Sequence, residues 1–151
     1  MEITSANLND LAEILELQKN CYLDEAKIYN NYKIPPLTQS LESVRNEFEK
    51  GIILKITENE RIIGSVRGYA DNDTCKIGKL IVDRDFRNKG LGSKLMHEIE
   101  SRFESVNRFE LFTGHKSEKN LSLYHKLGYL EFKREPIDSN LELVYLEKLN
   151  K

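Results

Sequence analysis

The spacing of hydrophobic residues in the first third of the chain predicts one short strand and two helices. The segment MEITSA has the composition of a strand. From Asn7 onward, hydrophobic residues fall on one face of a predicted helix, at Leu8, Leu11, Ile14, Leu15 and Leu17. The stretch after Tyr22 contains further tyrosines and two adjacent prolines, which predicts an irregular connection. Helical spacing then resumes and marks a second helix, at Leu41, Val44 and Phe48.

The middle and the end of the chain alternate between strand and helix patterns. Three consecutive strands with turns at ENE and DND are predicted in the segment IILKITENERIIGSVRGYADNDTCKIGKLIV. Strands joined by such short turns pair antiparallel. A third helix has hydrophobic residues about one turn apart, at Leu91, Leu95, Ile99 and Phe103. A fifth strand, a fourth helix and two final strands follow, at RFELFT, SEKNLSLYHKLG, YLEFKRE and LELVYLEK.

The predicted elements follow the order β-α-α-β-β-β-α-β-α-β-β. A run of antiparallel strands in front of β-α-β units predicts an α/β (α+β) fold with one mixed, mostly antiparallel central sheet. We expect about seven strands flanked by about four helices. No linker, repeat or low-complexity segment interrupts the chain, so we expect a single domain over residues 1–151.

The charge balance argues against a nucleic-acid-binding protein, because the formal net charge is −2. One local basic cluster consists of Arg84, Arg87, Lys89 and Lys94. Asp83 and Asp85 lie in the same segment and offset part of that charge. No apolar run approaches membrane-spanning length and the N-terminal residues are not signal-like, so we expect a cytoplasmic protein with no membrane partner. Cys21 and Cys75 lack metal-ligand spacing, so no metal site is expected.

Two glycines, Gly90 and Gly92, stand between the predicted fourth strand and the third helix. Glycine is a poor helix former, so its presence there suggests that the backbone needs space or an unusual conformation. The start of a helix offers unpaired N–H groups at the positive end of its dipole, which favours an anion. The dinucleotide-binding pattern G-x-G-x-x-G is excluded because Leu95 occupies the third glycine position. The pattern present is R-x-x-G-x-G, beginning at Arg87.

This pattern resembles the hallmark [QR]-x-x-G-x-[GA] of the GNAT superfamily of acetyl-CoA-dependent N-acetyltransferases, with Arg87, Gly90 and Gly92 at the matching positions. A later segment also resembles that family, through the spacing N-x-x-x-Y-x-x-x-G-Y at Asn120, Tyr124, Gly128 and Tyr129. The predicted element order is that of the family fold. The resemblance therefore implies an acyltransferase that uses acetyl-CoA as cosubstrate and needs no metal.

The resemblance implies that backbone N–H groups of residues 88–93 bind the pyrophosphate of the cosubstrate. The pantetheine arm would then pair with the preceding strand, which needs an open edge or a splay in the sheet. Asn120 would hold the pantetheine or a water molecule, and Lys126 would reach a phosphate. The implied cosubstrate-binding set is Leu80, Ile81, Val82, Arg87, Asn88, Lys89, Gly90, Leu91, Gly92, Ser93, Asn120, Tyr124 and Lys126. The alternative is that the glycines only permit close helix packing and that the polar residues are ordinary surface groups.

Acetyl transfer requires a neutral amine, and only about one alkylamine in several thousand is neutral at pH 7. By resemblance, Tyr124 is the acid that assists the departing thiolate, although it could instead be a packing residue. Some family members have a glutamate on the fourth strand as the base, but Lys76 stands at that position here. We expect Glu110 on the fifth strand to act as the base instead. Other candidates are Asp71, Asp73, Glu25, His115 and an ordered water.

The acceptor would enter between the first two helices and the sheet, so we expect Tyr22, Glu25 and Tyr29 to bind it. Aromatic faces beside a carboxylate suit a cation such as a primary amine. The leading hypothesis is an N-acetyltransferase that acts on a small-molecule primary amine. The alternatives are a protein N-terminal or lysine acetyltransferase and a non-catalytic acyl-CoA-binding module. The resemblance also makes a homodimer an option, because many relatives pair through edge strands.

Overall fold

The computed structural model describes residues 2–151 and contains a seven-stranded sheet with helices packed on it. The strands are β1 Ile3–Ser5, β2 Ile52–Glu58, β3 Arg61–Asp71, β4 Thr74–Val82, β5 Arg108–Gly114, β6 Leu130–Pro136 and β7 Glu142–Leu149. The helices are α1 Leu11–Tyr29, α2 Pro35–Thr38, α3 Leu41–Lys50, α4 Leu91–Ser101 and α5 Glu118–Lys126. Met1, the first residue of the predicted strand MEITSA, lies outside the described residues. Within residues 2–151, no helix is both long and apolar enough to cross a membrane.

The strand order in the sheet is β1-β2-β3-β4-β5-β7-β6. Across residues 2–151, β4 and β5 form the one parallel pair, and the other neighbouring strands pair antiparallel. The predicted element order and the mixed, mostly antiparallel sheet are therefore confirmed. The parallel pair is connected through α4, so the loop that leads from β4 into α4 lies at the carboxyl end of β4.

The first helix is longer than the sequence pattern predicts. α1 continues to Tyr29 and ends where Asn30 adopts a left-handed conformation with φ of 49°. A short additional helix, α2, occupies the predicted irregular connection. It starts at Pro35, where proline sacrifices no helical hydrogen bond because first-turn N–H groups have no partner within a helix. The prediction of an irregular segment directly after Tyr22 is thus wrong, and the acidic residues that follow it are held on a helix.

Two hydrophobic cores lie on opposite faces of the sheet. Ile53 and Leu54 are neighbours in β2 yet belong to different cores, because successive strand residues point to opposite faces. The face covered by α4 and α5 buries Leu91, Leu95, Met96, Ile99 and Tyr124. The face covered by α1 and α3 buries Leu11, Ile14, Leu15, Leu17 and Val44. The predicted helix faces are confirmed except at Leu8 and Leu41, which lie before or at the helix starts and are exposed.

The sheet opens between β4 and β5. Their pairing covers three residues of each strand and ends where Lys76 lies opposite Glu110. Beyond that point, β4 pairs only with β3 up to Val82, and β5 pairs only with β7 up to Gly114. The facing edges therefore diverge toward the carboxyl ends of both strands. The expected splay is present at the end of β4 that leads into the glycine loop.

An irregularity in β4 accompanies this opening. The register between β3 and β4 shifts between Ser65 and Arg67, and Lys79 has a left-handed φ of 49°. Bulges increase local twist and redirect the strand that contains the extra residue. β4 therefore bends along β3 while its last residues, Leu80 to Val82, face the gap.

Candidate active site

A cleft of about 560 Å³ occupies the open end of the gap between β4 and β5. This volume lies within the usual range for small-molecule sites, roughly 300–1,000 Å³. Its walls come from four parts of the chain: α1, the end of β4, the loop with the first turn of α4, and the start of α5. The residues that line the cleft include Tyr22, Asp24, Glu25, Leu80, Ile81, Val82, Arg87, Asn88, Gly90, Leu91, Gly92, Ser93, Lys116, Ser117, Lys119, Asn120 and Leu123.

One wall of the cleft is a run of backbone N–H groups, which we call the amide cradle (residues 88–93). Asn88 and Gly90 both adopt left-handed conformations, with φ of 63° and 78°. The first N–H of this region to find a helical acceptor is that of Lys94, which donates to the Gly90 carbonyl at 3.2 Å. Within residues 2–151, the six N–H groups of the amide cradle donate to no protein acceptor. Such consecutive free amides at a helix start form a site for an anion.

The two glycines of the cradle serve different purposes. At Gly90, an added Cβ would meet nothing within 4 Å, so glycine is required there for its positive φ and not for space. A residue with a Cβ in that conformation costs roughly 1–2 kcal/mol. At Gly92, an added Cβ would lie 3.3 Å from Cδ2 of Leu123, so glycine there permits the close approach of α4 and α5. The packing alternative therefore applies to Gly92 and not to Gly90.

The arginines beside the cradle hold it against α1. Arg87 donates from Nε to the Val82 carbonyl at 3.1 Å and from Nη1 to the Asp24 carboxylate at 3.1 Å. Arg84 donates to the other oxygen of the same carboxylate at 2.7 Å. Both side chains are thus engaged with the protein itself. The cradle offers its backbone to a ligand, while the charged side chains of the loop fix its position.

Tyr124 lies in the middle of α5, buried behind the cleft wall, with its ring centroid 6.0 Å from that of Tyr129. Burial raises the pKa of Tyr124 well above its usual value, and nearby Tyr22 and Glu25 raise it further. The hydroxyl therefore stays protonated at neutral pH. Within residues 2–151, the buried side-chain polar atoms without a partner are both on Arg67. The Tyr124 hydroxyl also has no protein partner within residues 2–151, but it is not one of these fully buried atoms. Part of the hydroxyl is therefore accessible.

Glu110, the base that the sequence suggests, does not lie in the cleft. It sits at the closed end of the β4–β5 gap, where its carboxylate contacts Lys76 at 3.0 Å and Arg108 at 2.9 Å. Burial alone would raise the pKa of Glu110, but hydrogen bonds from Lys76 and Arg108 lower it overall. The hydrogen bond from Lys76 also raises the pKa of that lysine. This ion pair joins the paired ends of two strands, which explains why the two charged residues are present there.

Three carboxylates line the cleft, those of Asp24, Glu25 and Glu118, and Glu25 is the one whose charge affects Tyr124. It lies on α1, lines the cleft, and accepts a hydrogen bond of 2.6 Å from the Ser117 hydroxyl at the start of α5. The remaining sequence candidates are elsewhere. Asp71 and Asp73 are exposed at the turn between β3 and β4. His115 does not line the cleft, and its Nδ1 accepts a hydrogen bond from the backbone N–H of Glu142 at 2.9 Å.

The two tyrosines expected in the acceptor pocket have different environments. Tyr22 lines the cleft, and burial raises its pKa well above the usual value. Tyr29 is 2% exposed and lies outside the cleft. Its hydroxyl accepts the N–H of Lys116 at 2.9 Å and donates to Ser117 at 2.8 Å, because the Ser117 proton is used on Glu25. Tyr29 therefore positions the loop before α5, which in turn positions Glu25.

Of the two remaining residues expected to bind the cosubstrate, one lines the cleft and the other does not. Asn120 lines the cleft, with its amide 3.4 Å from the Thr113 hydroxyl. Lys126 is exposed at the end of α5 and is not part of the cleft wall. Lys116 and Lys119, which the sequence analysis did not select, do line it. Their spacing in the segment HKSEKN is a local signal that could have identified them, since both flank the start of the same helix.

Comparison with known proteins identifies a matching family and one curated relative. A family model described as Acetyltransferase (GNAT) family matches residues 11–129. The protein YqkA of Bacillus subtilis (strain 168), described as a UPF0157 protein, is 25% identical over 117 residues. That match covers 78% of this chain and 34% of YqkA. The chain thus spans about a third of the length of this curated relative.

Solved structures share the whole fold. The structure of smu.2055 from Streptococcus mutans UA159 has a TM-score of 0.86 at 16% identity and covers 100% of both chains. That of yncA from Salmonella typhimurium, determined with its cofactor acetyl-CoA, has a TM-score of 0.77 at 20% identity. It covers 100% of this chain and 94% of yncA. At these identities the likeness is one of fold.

Proposed function

Because the chain belongs to the acetyltransferase (GNAT) family, we propose that it transfers an acetyl group from acetyl-CoA to a small-molecule primary amine. Membership of the family indicates acyltransferase activity. The observation that most supports a working enzyme is that the amide cradle lines the open cleft, while Tyr124 lies behind the cleft wall and is affected electrostatically by Tyr22 and Glu25, which line it. Residues 1–151 would act as a single N-acetyltransferase domain.

The amide cradle binds the pyrophosphate in this proposal. Hydrogen bonds from uncharged N–H groups to phosphate oxygens are charge-assisted, and the dipole of α4 adds about 0.3–1 kcal/mol. The pantetheine arm lies along the free edge of β4 at Leu80, Ile81 and Val82, which all line the cleft. The acetyl-CoA present in the yncA structure supports this choice of cosubstrate. Lys116 and Lys119 are better placed than Lys126 to meet further phosphate charge.

Tyr124 assists departure of the thiolate. As the amine nitrogen bonds to the acetyl carbon and the carbon–sulfur bond breaks, negative charge collects on sulfur. A thiol has a pKa of about 8.5, below that of a buried tyrosine, so complete proton transfer from Tyr124 would be unfavourable. What the tyrosine supplies is a hydrogen bond to sulfur that strengthens as the charge develops, with the final proton coming from solvent.

Glu25 replaces Glu110 as the proposed proton acceptor. Its carboxylate faces the cleft and first attracts the ammonium form of the acceptor. The ammonium must first lose one proton, to Glu25 or to water beside it, before its nitrogen can attack the acetyl carbon. Once bonded to that carbon, the nitrogen is strongly acidic and loses its second proton by the same route. The Ser117 hydrogen bond holds one carboxylate oxygen and leaves the other available. Tyr22 supplies an aromatic wall beside the same cation.

The test is a transfer assay with acetyl-CoA, a panel of primary amines and pools of peptides with free N-termini and lysines. Release of CoA and the mass of the product are both measured. We expect small amines to be acetylated with a kcat/KM well above that of any peptide. Acetylation confined to peptides would favour the protein acetyltransferase alternative. Tight acetyl-CoA binding with no transfer to any acceptor would favour the binding module.

A further inference from the structure

A second polar cluster lies next to the cleft, between α1, α3 and the bulged part of β4. We call it the guanidinium cluster, and it consists of Gln18, Gln39, Glu47, Arg67 and Lys79. Arg67 is at its centre and is 5% exposed, on the central strand β3. None of these five residues has a role in the cosubstrate site described above.

Arg67 has unused hydrogen-bonding capacity. Its Nη1 donates to the Gln18 side chain at 2.8 Å, whereas Nε and Nη2 are buried and have no hydrogen-bond partner within residues 2–151. The nearest carboxylate oxygen, on Glu47, lies 3.3 Å from Nε without hydrogen-bond geometry. Nε and Nη2 form one edge of the planar guanidinium group. That edge has the geometry to donate in parallel to both oxygens of a carboxylate.

The cluster is also short of negative charge. Lys79 contacts the Glu47 carboxylate through distances of 2.8 and 3.3 Å to its two oxygens. Arg67 approaches the same carboxylate, and Gln18 and Gln39 are neutral. Two cations therefore share one anion, which leaves one uncompensated positive charge. Buried charges and donors are normally paired, so this excess is unusual in a structural core.

The cluster adjoins the acceptor side of the cleft. Lys79 directly precedes Leu80, which lines the cleft, and its side chain is 24% exposed. Gln18, which accepts the hydrogen bond from Arg67, lies four residues before Tyr22 on α1, so the two side chains share one face of that helix. Tyr22 lines the cleft, whereas the five cluster residues lie beside it and do not line it. A ligand beside Tyr22 could thus meet a positive group at one end and Glu25 at the other.

We propose that the guanidinium cluster binds a carboxylate of the acceptor, so that the preferred substrate is a primary amine that also carries a carboxylate, such as an amino acid. The acceptor carboxylate approaches past Lys79, the partly exposed cation of the cluster, and takes the buried Nε–Nη2 edge of Arg67 in place of Glu47, which keeps its contact with Lys79. Its ammonium group lies beyond Tyr22, toward Glu25. This inference rests on the proposed function, because it assigns the acceptor of the same acetyl transfer.

The first experiment uses the unaltered protein and matched pairs of acceptors. Each α- or ω-amino acid in the panel is compared with its own carboxamide, which keeps the amine and the size but removes the negative charge. We expect kcat/KM for the carboxylate member of the preferred pair to exceed that of the carboxamide by roughly tenfold or more. The reason is that the carboxamide leaves the charged groups of the proposed site without a partner. Equal values for both members in all pairs, or faster transfer to the carboxamides, would overturn the inference.

The second experiment replaces the proposed ligand. In Arg67→Gln, the preference for the carboxylate acceptor should disappear through a higher KM, while the KM for acetyl-CoA and transfer to the carboxamide stay near their original values. Arg45→Gln is the matched control, since Arg45 is exposed on α3 two residues before Glu47 and makes no ion pair within residues 2–151. If Arg67→Gln melts below the assay temperature, Lys79→Gln provides the same comparison. A carboxylate preference retained in a folded variant contradicts the proposal.

The two levels of the proposal can fail separately. If calorimetry detects no acetyl-CoA binding and no amine is acetylated, the proposed function is wrong and the inference is overturned with it. If acetyl-CoA binds and neutral amines are acetylated as fast as amino acids, only the carboxylate site is wrong. Transfer that favours amino acids and depends on Arg67 supports both.

Discussion

The two sides of the cleft are built from different chemical groups. The proposed cosubstrate side consists mainly of backbone: the amide cradle, whose six N–H groups have no acceptor within residues 2–151, and the edge of β4 that β5 leaves unpaired. The acceptor side consists of side chains, with Tyr22 and Glu25 from α1 and Ser117 from the start of α5. A backbone site depends on conformation, whereas a side-chain site depends on which residues the fold brings together. Mutations should therefore affect the two sides in different ways.

The largest expected effect comes from placing a negative charge in the amide cradle. In Gly92→Asp, the new carboxylate would occupy the site of an anionic ligand, so acetyl-CoA affinity should fall by about 100-fold or more, since like charges in an interface cost several kcal/mol. Gly92→Ala is the matched control, because it adds the same Cβ beside Leu123 without the charge. Calorimetry on both variants measures the difference. Equal affinities for the two would show that packing, and not anion binding, is the function of this position.

The next effect concerns Tyr124, which is buried in α5 behind the cleft wall. Tyr124→Phe removes the hydroxyl that we propose donates a hydrogen bond to the departing sulfur, and it keeps the ring that packs on Tyr129. We expect kcat to fall by about 100-fold or more, with acetyl-CoA affinity nearly unchanged. Steady-state kinetics across the pH range, together with calorimetry, separates the two quantities. Unchanged turnover at every pH would remove Tyr124 from the mechanism.

A smaller loss of activity should distinguish Glu25 from Glu110. Glu25→Gln removes the carboxylate in the cleft, so kcat/KM for the amine should fall by roughly 10- to 100-fold, at the lower end of general base effects. Glu110→Gln changes a carboxylate that is paired with Lys76 and Arg108 away from the cleft, so kcat/KM should change by less than about twofold. The reverse order of the two variants would restore Glu110 as the base.

The smallest effect tests the structural assignment of Tyr29. Tyr29→Phe removes hydrogen bonds to Ser117 and to the Lys116 N–H, so the free energy of unfolding should fall by about 1–2 kcal/mol. The KM for acetyl-CoA should stay the same. Tyr32→Phe is the control, since Tyr32 is 57% exposed. Denaturant titration of both variants measures the change in the free energy of unfolding. A Tyr29→Phe protein of unchanged stability with a raised KM for the amine would return Tyr29 to the acceptor pocket.

The two sides of the cleft also differ in how far the sequence predicts them. Gly90 can be identified from sequence because its left-handed conformation, with φ of 78°, restricts the residue type at that position. The motif that contains it lies within six consecutive residues, so no tertiary contact is needed to assemble it. The splay between β4 and β5 was expected from the family resemblance, because a strand edge must be unpaired if the pantetheine arm is to pair with it.

The acceptor side could not be assembled in this way. Glu25 and Ser117 are 92 positions apart in sequence and meet only because α1 crosses the start of α5. Glu110 and Glu25 are both acidic residues in suitable elements, and nothing local distinguishes the one that pairs with Lys76 from the one that faces the cleft. The same holds for Tyr22 and Tyr29, which lie about two turns apart on α1.

The sequence by itself determined the element order and the mixed sheet, because these depend on hydrophobic periodicity. The glycine loop and the tyrosine of α5 were identified through the resemblance of two short motifs to those of the family. The tertiary structure alone decided that Glu25 lines the cleft and Glu110 does not, and that Tyr29 supports Ser117. It also decided that Arg67 is buried with two nitrogens that have no hydrogen-bond partner within residues 2–151. Those outcomes depend on contacts between residues far apart in the chain, and each such contact is set by the packing of whole helices on the sheet.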